Sequence, residues 1–438
     1  MRISVIGCGY LGAVHAAAMA SLGHNVVGVD KDPVKVDRLA GGEAPFFEPG
    51  LEELLERGAV SGSLEFTTDL GRVAGAKIHF VCVGTPQAAS GLGADLAALD
   101  GAVDSLIPFL SPGNVVVGKS TAPVGTARRL AGALPAGVAL VWNPEFLREG
   151  SAVADTLRPD RIVYGVADSG EPRGAAELDS VYGSILEAGV PRLAMSYESA
   201  ELVKTAANSY LAVRVSFINA VSDLADASGA DVLDVAAALR LDPRIGSRFL
   251  NPGLGFGGGC LPKDLRALAA RADELEAPLT ADLLRVADCV NEARIGRVAA
   301  LAAAGLGGSL DGRRVALLGL AFKPLSDDVR NSPAVRLAAA LAGAGARVVA
   351  TDPVAVGAAR PGLEFAVGVR EAVAGAELLV LATEWPQYRE LDPAEVAGWT
   401  AARVIVDARC VLDRAVWAAA GWTVLAPGRP SPDPRRLS

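Results

Sequence analysis

Apolar and polar positions along the chain fall into the same rhythm twice. Residues 2–6, RISVI, form a β-branched run that leads through glycines at 7, 9 and 12 into AVHAAAMASLG, of helical composition, and then into HNVVGVD at 24–30. That order predicts strand, tight turn, helix and second strand. Three further runs, KIHFVCVGTP (77–86), NVVVGKSTAPVGT (114–126) and VALVWNPEFLREG (138–150), each read as a buried strand ending in a polar loop. From 199 to 229 the chain has no proline and no internal glycine, and its apolar residues keep helical spacing. One helix of roughly 30 residues is expected, long enough to serve as a spine and to offer a face to a second subunit. Near 310 the rhythm restarts: DGRRVALLGLAFKP gives a strand, SPAVRLAAALAGAG a helix, and ARVVATDP another strand. Ser332 is the expected N-cap and Pro333 the first helical residue. Further strands are predicted at 376–383, 402–410 and 422–428, and the proline-rich tail from 427 is expected to be mobile.

The predicted fold class is therefore α/β: two Rossmann-like doubly wound domains joined by a central helical domain with a long spine helix. The expected boundaries are 1–196 for a dinucleotide-binding domain, 197–304 for a helical, dimerising domain, and 305–438 for a second Rossmann-like domain that binds a nucleotide.

Composition narrows the function. With 21% charged and 51% hydrophobic residues among 438, the chain has the profile of folded domains rather than disorder. A net charge of −9 with no Lys/Arg run longer than a pair leaves no electrostatic footprint for nucleic acid or anionic lipid. Any phosphates must be met by locally placed cations. Five scattered cysteines (8, 82, 260, 289, 410) suit reduced thiols, and a cytoplasmic location is expected. The apolar start superficially resembles a signal peptide, but its regularly spaced glycines have a better explanation. His15, His24 and His79 show no ligand spacing, and no metal is expected.

That explanation is dinucleotide binding. Gly7-Cys8-Gly9-Tyr10-Leu11-Gly12 joins the first strand to the first helix, where glycines allow a tight turn, close approach to a pyrophosphate and close helix packing. Asp30 ends the second strand near the spacing expected for the carboxylate that bonds a ribose hydroxyl, which favours NAD over NADP, with Lys31 and Lys35 close by. Ligands of open α/β sheets bind beyond the carboxyl ends of strands. The loops there would deliver Thr85, Thr121, Glu145 and Glu149. On the spine helix Lys204 and Asn208 are four apart and share a face, with Glu201 one turn before Lys204; a solvated Glu-Lys pair is the bland alternative. The second α/β unit lacks GxGxxG, so it is expected to take a nucleotide-like ligand near Lys323 and Arg409 rather than a second dinucleotide.

The ordered motifs GCGYLG, CVGTP, KSTAPVGT, NPEFLREG, AELVKTAANSYLA, RIGSRFLNPGLGFGGGCLPKD, LGLAFKP, DDVRNSP and ATEWPQYREL run nearly end to end. In them the chain resembles the UDP-glucose/GDP-mannose dehydrogenase family, the nucleotide-sugar 6-dehydrogenases. The resemblance implies an NAD-dependent, four-electron oxidation of a sugar C6 alcohol, a dimer formed by the helical core, and a catalytic cysteine in a glycine-rich loop. Carried onto this chain, it makes Cys260 the nucleophile, passing through a thiohemiacetal and a thioester that keep the aldehyde-level intermediate bound. Lys204 and Asn208 would stabilise oxyanions, Asp264 would position the hydrolytic water or assist a base, Glu145 would drive thioester hydrolysis, and Thr121 would support the same water. Lys263 and Lys204 are the cations expected to favour the thiolate.

The resemblance assigns cofactor contacts to Gly7, Gly9, Tyr10, Leu11, Gly12, Asp30, Lys35, Thr85, Thr121, Glu149, Lys263 and Arg330. Substrate contacts fall on Glu145, Phe146, Leu147, Lys204 and Asn208; on Phe249, Leu250, Asn251, Gly253, Gly257 and Cys260; on Phe322, Lys323 and Arg409; and on Arg244, expected to reach across the dimer. RFLNPGLGFGGGCLPKD looks like the UDP-glucose branch, with UDP-N-acetylhexosamine and GDP-mannose as alternatives. Three positions depart from the family pattern: Ala220 in FINA, Gly259 in GGGC and Cys410 in DARC. Gly259 is expected to loosen the cysteine loop. Two rival classes are a two-electron dehydrogenase, which needs no nucleophile, and a non-catalytic nucleotide-sugar sensor, which need not keep Cys260, Lys204, Asn208 and Asp264 together.

Overall fold

The computed structural model describes residues 1–167, 172–356 and 363–430. It contains two sheets. The first has strands β1 (Arg2–Ile6), β2 (Asn25–Val29), β3 (Leu64–Thr67), β4 (Ile78–Val81), β5 (Val115–Gly118), β6 (Ala139–Trp142), β7 (Ile162–Val166) and β8 (Arg192–Ser196), in the order β3-β2-β1-β4-β5-β6-β7-β8. All neighbours are parallel except β6 and β7, which meet antiparallel at Trp142 and Gly165. The second is wholly parallel: β9 (Arg314–Leu318), β10 (Arg347–Thr351), β11 (Leu363–Phe365), β12 (Leu378–Leu381), β13 (Val404–Asp407) and β14 (Thr423–Leu425), ordered β11-β10-β9-β12-β13-β14. Both sheets reverse their strand order beside the first strand, at β1/β4 and β9/β12, which is where α/β sheets bind ligands.

The strand cores are apolar on both faces, as parallel sheets require: Ile3, Val5, Phe80, Val117 and Val141 in one, Val315, Leu317, Leu379 and Ile405 in the other, all fully buried or nearly so. Four observed strands lie outside the expected set. β3, β8 and β11 are sheet edges whose residues are partly exposed, so they lack the continuous apolar run of a central strand. β7, IVYGV, is buried throughout and carries the same apolar signal as its neighbours. The tail expected to be mobile falls largely on 431–438, outside the described residues.

The spine helix is Tyr197–Ser228, and Gly229, with φ +77°, terminates it by closing on Ala225. A second long helix, Pro278–Gly305, follows the shorter Leu261–Glu274. Ser332 caps the helix Pro333–Gly343 through a bond from the Val335 amide. The chain forms two compact units: Met1–Ala207 with Ala267–Ala277, and Asn208–Arg266 with the chain from Pro278 onward. The three histidines are core residues of the first unit, His79 bonding the Ser4 hydroxyl at 2.8 Å. No helix among the described residues is long and apolar enough to cross a membrane.

Cys410 adopts φ +56°, a left-handed conformation that asparagine tolerates and cysteine does not favour. It lies in the electrostatic reach of Arg294, which is fully buried and whose Nη2 has no hydrogen-bond partner. Cys410→Asn relaxes the backbone at this left-handed position. It is expected to raise stability by about 1 kcal/mol, read as a higher urea midpoint of the full chain at unchanged slope.

Candidate active site

In the first unit, the turn after β1 is built for an anion. A Cβ on Gly12 would collide with the Gly7 carbonyl, so only glycine lets the helix Tyr10–Ser21 pack this close to the strand turn. Gly9 is the N-cap of that helix, faces open space and makes no side-chain cap, leaving first-turn amides for an incoming group. Asp30, buried at the end of β2, accepts from the Cys8 amide at 2.8 Å and from Lys35 Nζ at 3.0 Å. Its carboxylate thus ties the turn to the second strand and retains lone pairs for a ribose hydroxyl. These residues fit NAD. Tyr10 bonds Glu48, which also accepts from the amides of Gly150 and Ala152, both at 2.7 Å; the nucleotide turn is thereby fastened to the loop carrying Glu145 and Glu149.

The loops after β4, β5 and β6 are stitched to one another and to the spine helix. Thr85 Oγ1 donates to the Thr121 carbonyl at 2.6 Å. Glu145 pairs with Lys204 Nζ at 2.7 Å, with both side chains largely buried, and its other oxygen accepts from the Leu147 amide. Phe146, in the same loop, lies 5.7 Å from Lys204 Nζ and 3.8 Å from the Arg161 guanidinium, measured from its ring centre. The Glu201–Lys204 pairing considered from spacing does not form. Glu201 is buried and accepts from the amides of Gly125 and Ala127 at 2.7 and 2.6 Å, capping the helix Thr126–Ala133 after β5. Burial pushes its carboxyl up to about 7, against the two amides that favour the charged form.

In the second unit, residues 251–260 have no strand or helix of their own, so their buried backbone must be satisfied by side chains. Asn219 accepts from the Gly253 amide at 2.8 Å; Arg294 Nε donates to the Gly253 carbonyl at 2.9 Å. Asn291 bonds both ends of Phe256, at 2.8 and 3.0 Å. Arg409 donates to the Gly255 carbonyl at 2.9 Å and to those of Ala382 and Phe322. A Cβ on Gly257 would strike the Asn331 carbonyl. The loop delivers Cys260 to the head of the helix Leu261–Glu274, where the Cys260 carbonyl takes the first helical bond, from the Asp264 amide at 2.9 Å. Cys260 is exposed and in no disulfide. Asp264, almost fully buried, accepts from Asn208 Nδ2 and Lys263 Nζ, both at 2.6 Å. A helix N-terminus favours negative charge on such a thiol.

Gly259 gives the loop a contact rather than slack. A Cβ there would lie 2.7 Å from the Arg330 Cζ, so the missing side chain makes room for that guanidinium, which Asp328 holds at 2.8 Å. Gly259 is not among the glycines with positive φ. Phe322 packs over Gly258, and Lys323 Nζ sits 5.3 Å from the Phe322 ring centre. Leu250 is buried, Phe249 is exposed with φ +59°, and Asn251 accepts from Arg240 at 2.5 Å. Arg244 is exposed and held by Asp242 at 2.6 Å. Asn291 and Arg294 were missed from sequence. The signal was there: they interrupt the otherwise apolar buried face formed by Leu284, Ala287, Ile295 and Val298 of the helix Pro278–Gly305.

Three domains of one family match the chain in order: the UDP-glucose/GDP-mannose dehydrogenase family NAD binding domain over residues 1–186, its central domain over 198–309 and its UDP binding domain over 316–414. A UDP-glucose 6-dehydrogenase of Rhizobium meliloti is 40% identical over 98% of this chain and 100% of that protein. Among solved structures, a UDP-glucose dehydrogenase of Pyrobaculum islandicum superposes with TM-score 0.84 at 39% identity over 94% of both chains. A UDP-D-ManNAc dehydrogenase of Pyrococcus horikoshii reaches TM-score 0.86 at 26% identity over 98% of this chain and 99% of that one.

Asn291→Ala strips partners from the buried Phe256 amide and carbonyl at once. The expected cost is about 2–4 kcal/mol from two orphaned backbone groups, measured by urea unfolding of the full chain.

Proposed function

The chain belongs to the UDP-glucose/GDP-mannose dehydrogenase family and is an NAD-dependent nucleotide-sugar dehydrogenase; from this we propose that it oxidises the C6 alcohol of UDP-glucose to the carboxylate through a covalent Cys260 thioester. The observation that carries the thioester is the exposed Cys260 thiol at the head of a helix, one turn from buried Asp264 and its partners Asn208 and Lys263. NAD, held by the Gly7–Gly12 turn and Asp30, supplies the hydride acceptor for each oxidation when bound.

The residues divide the work as follows. Cys260 adds its sulfur to the C6 aldehyde carbon, and the oxyanion so formed is stabilised by the donors of Lys204 and Asn208. Oxidation of that thiohemiacetal leaves a thioester. Water then adds to the thioester carbon, one proton passes to Glu145, the C–S bond breaks, and sulfur departs with its electron pair. Asp264 and Thr121 orient this water; Thr85, Glu149, Lys263 and Arg330 serve the cofactor. Lys323, Arg409, Arg244 and the 249–257 segment meet the sugar nucleotide, with Phe146, Leu147 and Phe322 packing against it. UDP-glucose is preferred because relatives bearing that name match at 39–40% identity, against 26% for the UDP-D-ManNAc enzyme. A two-electron oxidation leaves the placement of Cys260 without a purpose.

The active assembly is a homodimer through the helical core. Tyr210, Phe217 and Leu224, each seven residues apart, form an exposed stripe on the helix Tyr197–Ser228, and Ala220 continues it where the family pattern has a glutamate. Leu279, Leu283 and Val286 form a second exposed stripe at helical spacing on the helix Pro278–Gly305. Apolar stripes of this kind bury themselves against a second copy. Phe217→Lys is expected to convert the dimer to monomer, seen as a halved mass in light scattering; an unchanged mass refutes this assembly.

The activity is tested by NAD reduction with UDP-glucose, UDP-N-acetylglucosamine, UDP-galactose and GDP-mannose. Two NADH per UDP-glucose are expected, with Cys260→Ala forming no uronic acid. One NADH per sugar, or full uronic-acid formation by the variant, overturns the reading.

A further inference from the structure

The turn that carries Arg244 is held more firmly than an exposed segment requires. It follows the helix Val232–Leu241 in the second unit, and Pro243, Arg244 and residues 247–249 face solvent. The Arg244 side chain is 88% exposed. Yet the Asp242 carbonyl accepts from the amides of Ile245 at 3.0 Å and Gly246 at 2.9 Å, and the Asp242 carboxylate accepts from the Arg244 amide at 2.9 Å. Gly246 closes the turn at φ +77°, a left-handed conformation that suits glycine. Ile245 packs against the cluster that contains Ile218, Val232 and Leu250. Arg214, on the spine helix, takes the two carbonyls at the end of the turn: Nη1 donates to Ile245 at 2.8 Å and Nη2 to Gly246 at 3.1 Å.

Two bonds from one planar guanidinium fix orientation as well as distance. Carbonyls on an exposed turn can be met by water, and ordering an arginine costs side-chain entropy, so this clamp adds little to folding. What it adds is geometry. Arg214 also stands beside the exposed stripe of the spine helix, its guanidinium carbon 5.9 Å from the centre of the Tyr210 ring.

We propose that Arg214 is a positioning residue for substrate binding: it fixes the 242–246 turn so that Arg244 is already aimed when the sugar nucleotide arrives. This rests on the reading above in which Arg244 meets the substrate across the dimer. Without the clamp the turn has to be ordered during binding, and that cost is taken from the affinity for the sugar nucleotide. The NAD turn and the chemistry at Cys260 are not reached by this route, so the effect falls on KM for UDP-glucose and spares kcat.

The test uses full-length Arg214→Gln, Arg214→Lys, Arg244→Ala and the double variant Arg214→Gln/Arg244→Ala, with UDP-glucose and NAD. Arg214→Gln is expected to raise KM for UDP-glucose about 3–10-fold, with kcat, KM for NAD and the mass in light scattering at parental values. Arg214→Lys keeps the charge without the planar fork, and its KM should lie between those of Arg214→Gln and the parent. Arg244→Ala should raise KM further, and adding Arg214→Gln to it should change nothing, because the turn then has no guanidinium left to aim. Additive effects of the two substitutions overturn the proposal, as does a loss of kcat or of parental mass in both Arg214 variants. If Arg244→Ala itself keeps the parental KM, the reading of Arg244 as a substrate contact falls. A raised KM in Arg244→Ala beside a parental KM in Arg214→Gln removes only the role of Arg214.

Discussion

A loop with no secondary structure of its own carries Cys260, the proposed nucleophile, and its buried amides and carbonyls have to be satisfied one by one. Asn219, Asn291, Arg294 and Arg409 do this from three different elements, so the position of Cys260 depends on side chains far from it in sequence. Each of these bonds is modest alone, but an unmet polar group in a dry interior is costly. The segment 253–257 is therefore held as firmly as a strand would be, while its glycines keep the backbone bare for a ligand's approach.

The same economy of form appears in the first unit. Short loops follow three adjacent parallel strands, and each is anchored by a carboxylate or a hydroxyl: Thr85 to the β5 loop, Glu48 to the segment after Glu149, Glu201 to the helix after β5. The loops carry the candidate catalytic groups, and buried acids give those loops fixed backbones. The sheet provides only the common edge from which they start.

Much of this was legible in the sequence. The β/α alternation, the glycine turn with Asp30, the spine helix and the Ser332 cap follow from periodicity and from residues with single purposes. Edge strands β3, β8 and β11 were not, because partial exposure dilutes their pattern. Partnerships between side chain and distant backbone were also hidden. Spacing placed Glu201 near Lys204 on one helix but could not reveal that the loop after β5 would claim the first and Glu145 the second. The burial of Lys119 was hidden too, since nothing local distinguishes a buried lysine from a solvated one.

Glu201 and Lys204 stand one turn apart on a single rigid helix, and each grips a different loop. The helix thereby acts as a gauge: the two grips on the β5 and β6 loops are set about 4.5 Å apart along its axis, the rise of three residues. Neither loop can be displaced along the helix axis without the other following, so an insertion or deletion between these two residues would throw both out of registration even if every loop residue were retained.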